Sequence, residues 1–145
     1  MRFWDSSSLG SLFLEEPRSI RCRRVLREDD RVTAWFFTPV ELEAAMTRAH
    51  RGLRVTDQEL DRTREQLRRT MRLWALVRCT PEVQTIAEGV ARQHGLRGAD
   101  SLQLAAALSW VEGRTKNRQF VTGDAALAEA ADLEGFTVVE TPNSP

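Results

Sequence analysis

Residues 31–42 read RVTAWFFTPVEL, and the change of character within them decides the fold. Arg31 to Phe37 is β-branched and aromatic and too short for a helix, so it reads as a buried strand. Thr38-Pro39-Val40-Glu41 then has the T-x-x-E form of a capping box, with proline at the first helical position. A helix is expected from there to about Arg51, with Gly52 as its stop. A strand that runs directly into a helix carrying an early acid is the unit of an α/β sheet.

The same alternation extends in both directions. Arg2-Phe3-Trp4 reads as a short strand ending at Asp5, and Ser6, Ser7 and Ser8 offer caps for a helix through Leu9, Leu12, Phe13 and Leu14. Pro17 opens a further helical stretch. Thr56-Asp57-Gln58-Glu59 repeats the capping box and begins a long amphipathic helix to about Met71. Leu73 to Val77 reads as a strand, and Thr80-Pro81 caps a helix ending at Gly95. Another helix starts near Ala99 and runs to about Val111. Gln119 to Thr122 is a strand, Asp124 to Ala131 a helix and Thr137 to Val139 a last strand. This pattern predicts one α/β domain over residues 1–140, a parallel sheet with helices on both faces, followed by a frayed tail from Thr141 to Pro145.

The 145 residues suffice for one hydrophobic core, and 41% apolar with 29% charged residues is an ordinary globular balance. No apolar run is long enough to span a bilayer, and Asp5 interrupts the first apolar run where a secretory signal needs an unbroken core, so no membrane association and a cytoplasmic location are expected. Cys22 and Cys79 stand far apart outside any CxxC pattern and read as buried thiols; with only two histidines they cannot build a closed zinc site. His50 and His94 fall near helix ends and read as surface or capping residues. The net charge is zero, yet nearly every cation is arginine, Lys116 being the single lysine. Arg62, Arg64, Arg68, Arg69 and Arg72 crowd one helix, where their planar forks suit phosphate or simply solvate a surface.

In an open parallel sheet, function collects beyond the carboxyl ends of the strands. Asp5 closes the first strand, Glu41 lies in the first turn after the second, Asp100 opens a helix after Gly98, and Asp124 follows Gln119–Thr122 across a Gly123 that permits a tight turn. Each acid alone has a structural explanation as a cap or turn residue. Gathered together, four carboxylates repel one another and raise one another's pKa values unless a cation intervenes. An all-oxygen set selects Mg²⁺ or Mn²⁺.

Four blocks carry a resemblance: Phe3-Trp4-Asp5-Ser6-Ser7; Thr38-Pro39-Val40-Glu41-Leu42; Leu96 to Ala105, with Arg97, Gly98 and Asp100; and Phe120-Val121-Thr122-Gly123-Asp124-Ala125-Ala126-Leu127-Ala128. In this order the chain resembles the PIN-domain ribonucleases, specifically the VapC-type toxins of toxin–antitoxin pairs. The resemblance implies a parallel sheet flanked by helices and an acidic pocket in which Asp5, Glu41, Asp100 and Asp124 bind Mg²⁺ or Mn²⁺ for endonucleolytic RNA cleavage. It places Ser7 and Thr122 as hydroxyls that orient the carboxylates, and Arg97 beside the substrate. It implies an RNA substrate, a cognate antitoxin that shields the pocket and a homodimer. Leu9, Leu12, Phe13 and Leu14 then belong either to the core or to the antitoxin's groove, and Arg62, Arg68, Arg69 and Arg72 become candidates for RNA backbone contact. The alternative is a non-catalytic PIN-fold module that binds RNA or protein. A phosphoacceptor receiver would need paired early acids and a lysine after a later strand, a haloacid-dehalogenase phosphatase would need D-x-D where position 7 is serine, and no phosphate-binding glycine loop is present.

Overall fold

The computed structural model describes residues 1–143. Five strands, β1 (Arg2–Trp4), β2 (Val32–Trp35), β3 (Ala75–Val77), β4 (Gln119–Thr122) and β5 (Thr137–Glu140), form one parallel sheet in the order β3-β2-β1-β4-β5. Helices fill the crossovers: α1 (Ser6–Gly10) and α2 (Ser19–Glu28) after β1, α3 (Thr38–Arg51) and α4 (Asp57–Met71) after β2, α5 (Pro81–His94) and α6 (Gly98–Trp110) after β3, and α7 (Ala125–Leu133) after β4. The chain steps from β1 outward to β3, then returns past β1 to β4. The connections leaving β1 and β4 therefore diverge, and a crevice opens between their carboxyl ends.

Side chains alternate across a strand, so a sheet buried on both faces needs two cores. Phe3, Trp35 and Phe120 join the residues of α5, α6 and α7 on one face, with the Phe3 and Phe120 rings stacked at 5.2 Å between centroids. Their strand neighbours Trp4, Ala34 and Val121 join those of α1, α2, α3 and α4 on the other. Consecutive Ala105, Ala106 and Ala107 are all fully buried, which lets α6 lie close against the sheet and α5.

Several sequence expectations change in detail. The first helix stops at Gly10, because the Ser11 hydroxyl bonds back to the Ser7 carbonyl and forward to Glu16 while the chain turns. Leu9 and Leu14 are core residues and not groove, with Leu12 and Phe13 packed partly against that core. The second helix begins at Ser19, two residues after Pro17. The strand at Arg31–Phe37 contracts to Val32–Trp35, leaving Phe36 and Phe37 at 48% and 43% exposure. The capping box forms at Thr56 and Glu59 but not at Thr38, which is itself the first helical residue and accepts no capping bond. Cys79 is exposed, whereas Cys22 is buried. His94 is nearly buried and meets Glu134 at 2.7 Å, while His50 meets Asp57.

The tail is not frayed at its start. Thr141 is fully buried, its amide donates to the Thr122 carbonyl at 2.9 Å, and its hydroxyl meets that of Ser8 at 2.7 Å. Residues 144–145 of the expected tail lie outside the described residues. The Thr141 contact also explains Gly123, whose φ is not in the left-handed region. A Cβ there would stand 2.6 Å from the Thr141 carbonyl oxygen and 1.7 Å from Nη1 of Arg18. Gly123 is needed for close approach, not for the turn. Gly123→Ala should therefore cost about 1–3 kcal/mol, as overpacking does, and lower the melting temperature, whereas Gly98→Ala, with nothing within 4 Å of its Cβ, should be neutral. Equal melting curves for both variants would refute this account.

Candidate active site

Asp5 is set in place by the two central strands. Its amide donates to the Val121 carbonyl at 2.9 Å, which ties the end of β1 to β4, and the residue is only 5% exposed. Its Oδ2 accepts from the Ser7 hydroxyl and, at 3.0 Å, from the Thr122 hydroxyl. The same Thr122 oxygen accepts the Asp124 amide at 3.1 Å. One hydroxyl thus joins the ends of both strands. Asp124 caps α7, its Oδ1 accepting the Leu127 amide at 2.8 Å.

The other two acids arrive on helix starts. Glu41 lies in the first turn of α3, and with no capping bond to make, its side chain turns inward, where Oε1 accepts from Gln103 Nε2 at 2.9 Å. Asp100 lies in the first turn of α6, and its Oδ2 accepts from Arg97 Nε at 3.3 Å. All four acids line one cleft of about 440 Å³, together with Arg48 and Arg97.

Burial pushes the Asp5 carboxyl above the ordinary aspartate range, and the charge of Asp100 adds to it against the hydrogen bonds from Ser7 and Thr122. Glu41 is raised by burial first and then by the charges of Asp5 and Asp100, with the bonds of Ser6 and Gln103 opposing. The acids therefore act on one another across the cleft. Among the described residues, no three His, Cys, Asp or Glu side chains already close on a single point. The donor set nevertheless fits a hard divalent cation. Each carboxylate is oriented through one oxygen, Oδ2 of Asp5, Oε1 of Glu41, Oδ2 of Asp100 and Oδ1 of Asp124. All four line the same cleft, in a field that a cation would relieve.

Every acid named from the sequence lies here, with Ser7 and Thr122 on Asp5 and Arg97 on the rim, its side chain 82% exposed. Arg62, Arg68 and Arg69 sit on α4 and Arg72 at its C-cap, outside the residues lining the cleft. Arg68 and Arg69 both pair with Glu65, and Arg64 pairs with Glu43. The sequence reading missed Arg48, Gln103 and the bonding of Ser6. Helical spacing held the signal: Gln103 is three residues past Asp100 and Arg48 seven past Glu41, on the same helix faces.

The family model for the PIN domain matches residues 2–133. No curated protein matches the chain. Among solved structures, a chain of FitAcB from Neisseria gonorrhoeae is similar at 18% identity and a TM-score of 0.70, covering 97% of this chain and 98% of that one. A chain of a toxin–antitoxin complex from Klebsiella pneumoniae is similar at 12% identity and a TM-score of 0.65, with the same coverage. At these identities the likeness is one of fold.

The raised Asp5 carboxyl has a consequence for stability. A carboxyl whose folded pKa exceeds its unfolded one stabilises the fold below the unfolded value, and that contribution is lost as pH rises through the folded value. In the metal-free protein, Asp5→Asn should therefore gain stability relative to the wild type as pH rises from about 4 to 7. Paired melting curves in EDTA across that range check this, and a difference that does not change with pH would refute it.

Proposed function

The chain belongs to the PIN-domain family, and from that premise we propose that it is a metal-dependent endoribonuclease, the toxin of a toxin–antitoxin pair, acting in the cytoplasm. The observation that carries the reading is the set of four carboxylates, each held by a hydrogen bond and all lining a single cleft. Asp5, Asp100 and Asp124 would hold Mg²⁺ or Mn²⁺, and Glu41 would complete the set. A divalent cation there neutralises phosphate oxygens and makes water acidic enough to attack at neutral pH.

The protein's own groups supply position and proton transfer. Ser7 and Thr122 keep Asp5 in one rotamer, so its free oxygen meets the cleft at a fixed place. Glu41, whose affinity for a proton is raised by its surroundings, is suited to accept the proton of the water that attacks phosphorus. The P–O3′ bond breaks in line, leaving a 5′-phosphate and a 3′-hydroxyl. Arg48 on α3 and Arg97 at the N-cap of α6, both lining the cleft, would take backbone phosphates beside the scissile one. The α4 arginines, Arg62, Arg68, Arg69 and Arg72, would extend this contact along the strand, weakened where Glu65 already shares their charge.

An antitoxin is part of the same reading, supported by the likeness to a chain of a toxin–antitoxin complex. A basic side chain from such a partner would satisfy the free carboxylate oxygens. A homodimer is proposed as well, with Phe36, Phe37 and Val40 among the exposed apolar residues it could cover. Among the described residues, no helix is long and apolar enough to cross a membrane.

Purified protein should cut cellular RNA into discrete fragments with Mg²⁺ or Mn²⁺ and not with EDTA. Asp5→Asn should reduce the rate by roughly 100-fold or more, beyond the usual loss for residues one layer from a metal, with the fold retained by circular dichroism. Undiminished metal-dependent cleavage by Asp5→Asn would overturn the site, and a folded wild type that neither cuts RNA nor binds either ion would return the chain to the binding modules. On an inactive background, Arg48→Ala should weaken RNA binding and flatten its logarithmic salt dependence by about one unit; an unchanged slope would remove Arg48 from the substrate contact.

A further inference from the structure

We infer that Gln103 is a positioning residue for catalysis, acting through Glu41, an inference that rests on reading the cleft as a metal-dependent ribonuclease site. Gln103 lies one turn below Asp100 on α6 and is 1% exposed. Both hydrogens of its amide nitrogen are committed: Nε2 donates to Glu41 Oε1 at 2.9 Å and to Ser6 Oγ at 2.6 Å. Ser6 in turn donates to the Thr38 hydroxyl at 3.3 Å, so its oxygen is free to accept. The reverse amide orientation would set a carbonyl oxygen against a carboxylate. The arrangement allows only the donor toward Glu41.

For the fold this side chain is costly on one side. Gln103 stands among Leu104, Ala105 and Ala106 in a helix packed on the sheet, and its Oε1 is buried with no hydrogen-bond partner among the described residues. A buried amide oxygen left unpaired is destabilising, and an apolar residue of the same length would relieve it. What glutamine does here is hold Glu41. Asp5 and Asp100 repel that carboxylate, and a glutamate in the first turn of a helix has solvent rotamers to escape into. The amide opposes that escape and fixes which Glu41 oxygen stays in the cleft. Through Ser6 and Thr38 the same contact joins the starts of α1 and α3 to the middle of α6.

The test is a double-mutant cycle of Gln103→Met and Glu41→Gln, read by melting temperature, by Mn²⁺ affinity in calorimetry, and by kcat and KM on one RNA fragment that the wild type cuts. Gln103→Met should still fold and melt cooperatively, the relieved Oε1 offsetting part of the two lost hydrogen bonds, while Mn²⁺ affinity or kcat falls roughly tenfold, with KM little changed. In the Glu41→Gln background it should add no further loss, as two residues acting as a unit require. Gln103→Leu replaces the methionine variant should that one not fold. Wild-type affinity and kcat in the Gln103 variant, or the same loss in both backgrounds, would overturn the inference while leaving the ribonuclease reading intact. A wild type that binds no Mn²⁺ and cuts no RNA would overturn both.

Discussion

The Thr122 hydroxyl, which donates to Asp5 and accepts the amide of Asp124, is the contact on which the arrangement of this cleft depends. It spans the point at which the strand order reverses, where β1 and β4 are neighbours and their outgoing connections part. Parallel pairing brings the two strand ends level, Trp4 beside Val121, and the Asp5 amide adds one further bond to the Val121 carbonyl. Two acids far apart in sequence are thereby held in fixed relation by backbone geometry and one side chain. A threonine is suited to this because it both donates and accepts at a single oxygen, and its branched Cβ leaves few rotamers.

Concentrating carboxylates in one cleft opposes folding, and the helices offset part of that cost. Asp5 is the capping position of α1, Glu41 and Asp100 lie in the first turns of α3 and α6, and Asp124 caps α7. Four helix starts therefore converge where four acids do, each bringing unsatisfied amide groups and the positive end of its dipole. The compensation is partial, since burial and mutual repulsion still raise Asp5 and Glu41. The residual strain is what a bound cation or a basic partner group would remove, and a site with nothing to bind would have no reason to keep it.

Much of this architecture was legible in the sequence because local signals and tertiary context agree. The strand Gln119–Thr122, the box at Thr56 and Glu59 and the Thr80 cap were each read from a few residues and stand as expected. Thr38-Pro39-Val40-Glu41 shows the limit. Its pattern matches the box at Thr56, yet Thr38 bonds to Ser6 and Glu41 to Gln103, partners 32 and 62 residues away. Competition from distant groups cannot be read from a four-residue pattern. The same holds for Gly123, where the requirement comes from Arg18 and Thr141 and not from its own turn. Gln103 was missed because one amide within a leucine- and alanine-rich helix looks like an ordinary polar position until its burial is known.

The arginines sharpen the point. Composition drew attention to α4, where five of them lie within eleven residues of sequence, Arg62 to Arg72. Density in sequence is not free charge in space: Glu65 engages two of those side chains and Glu43 a third. With a net charge of zero, the protein has no global field to draw in a polyanion, and at physiological salt an exposed charge is largely screened beyond about 8 Å. An anionic strand approaching an acidic cleft is repelled unless cations stand at its edge. Arg48 and Arg97 meet that condition by position, since they line the cleft and the arginines of 62–72 do not.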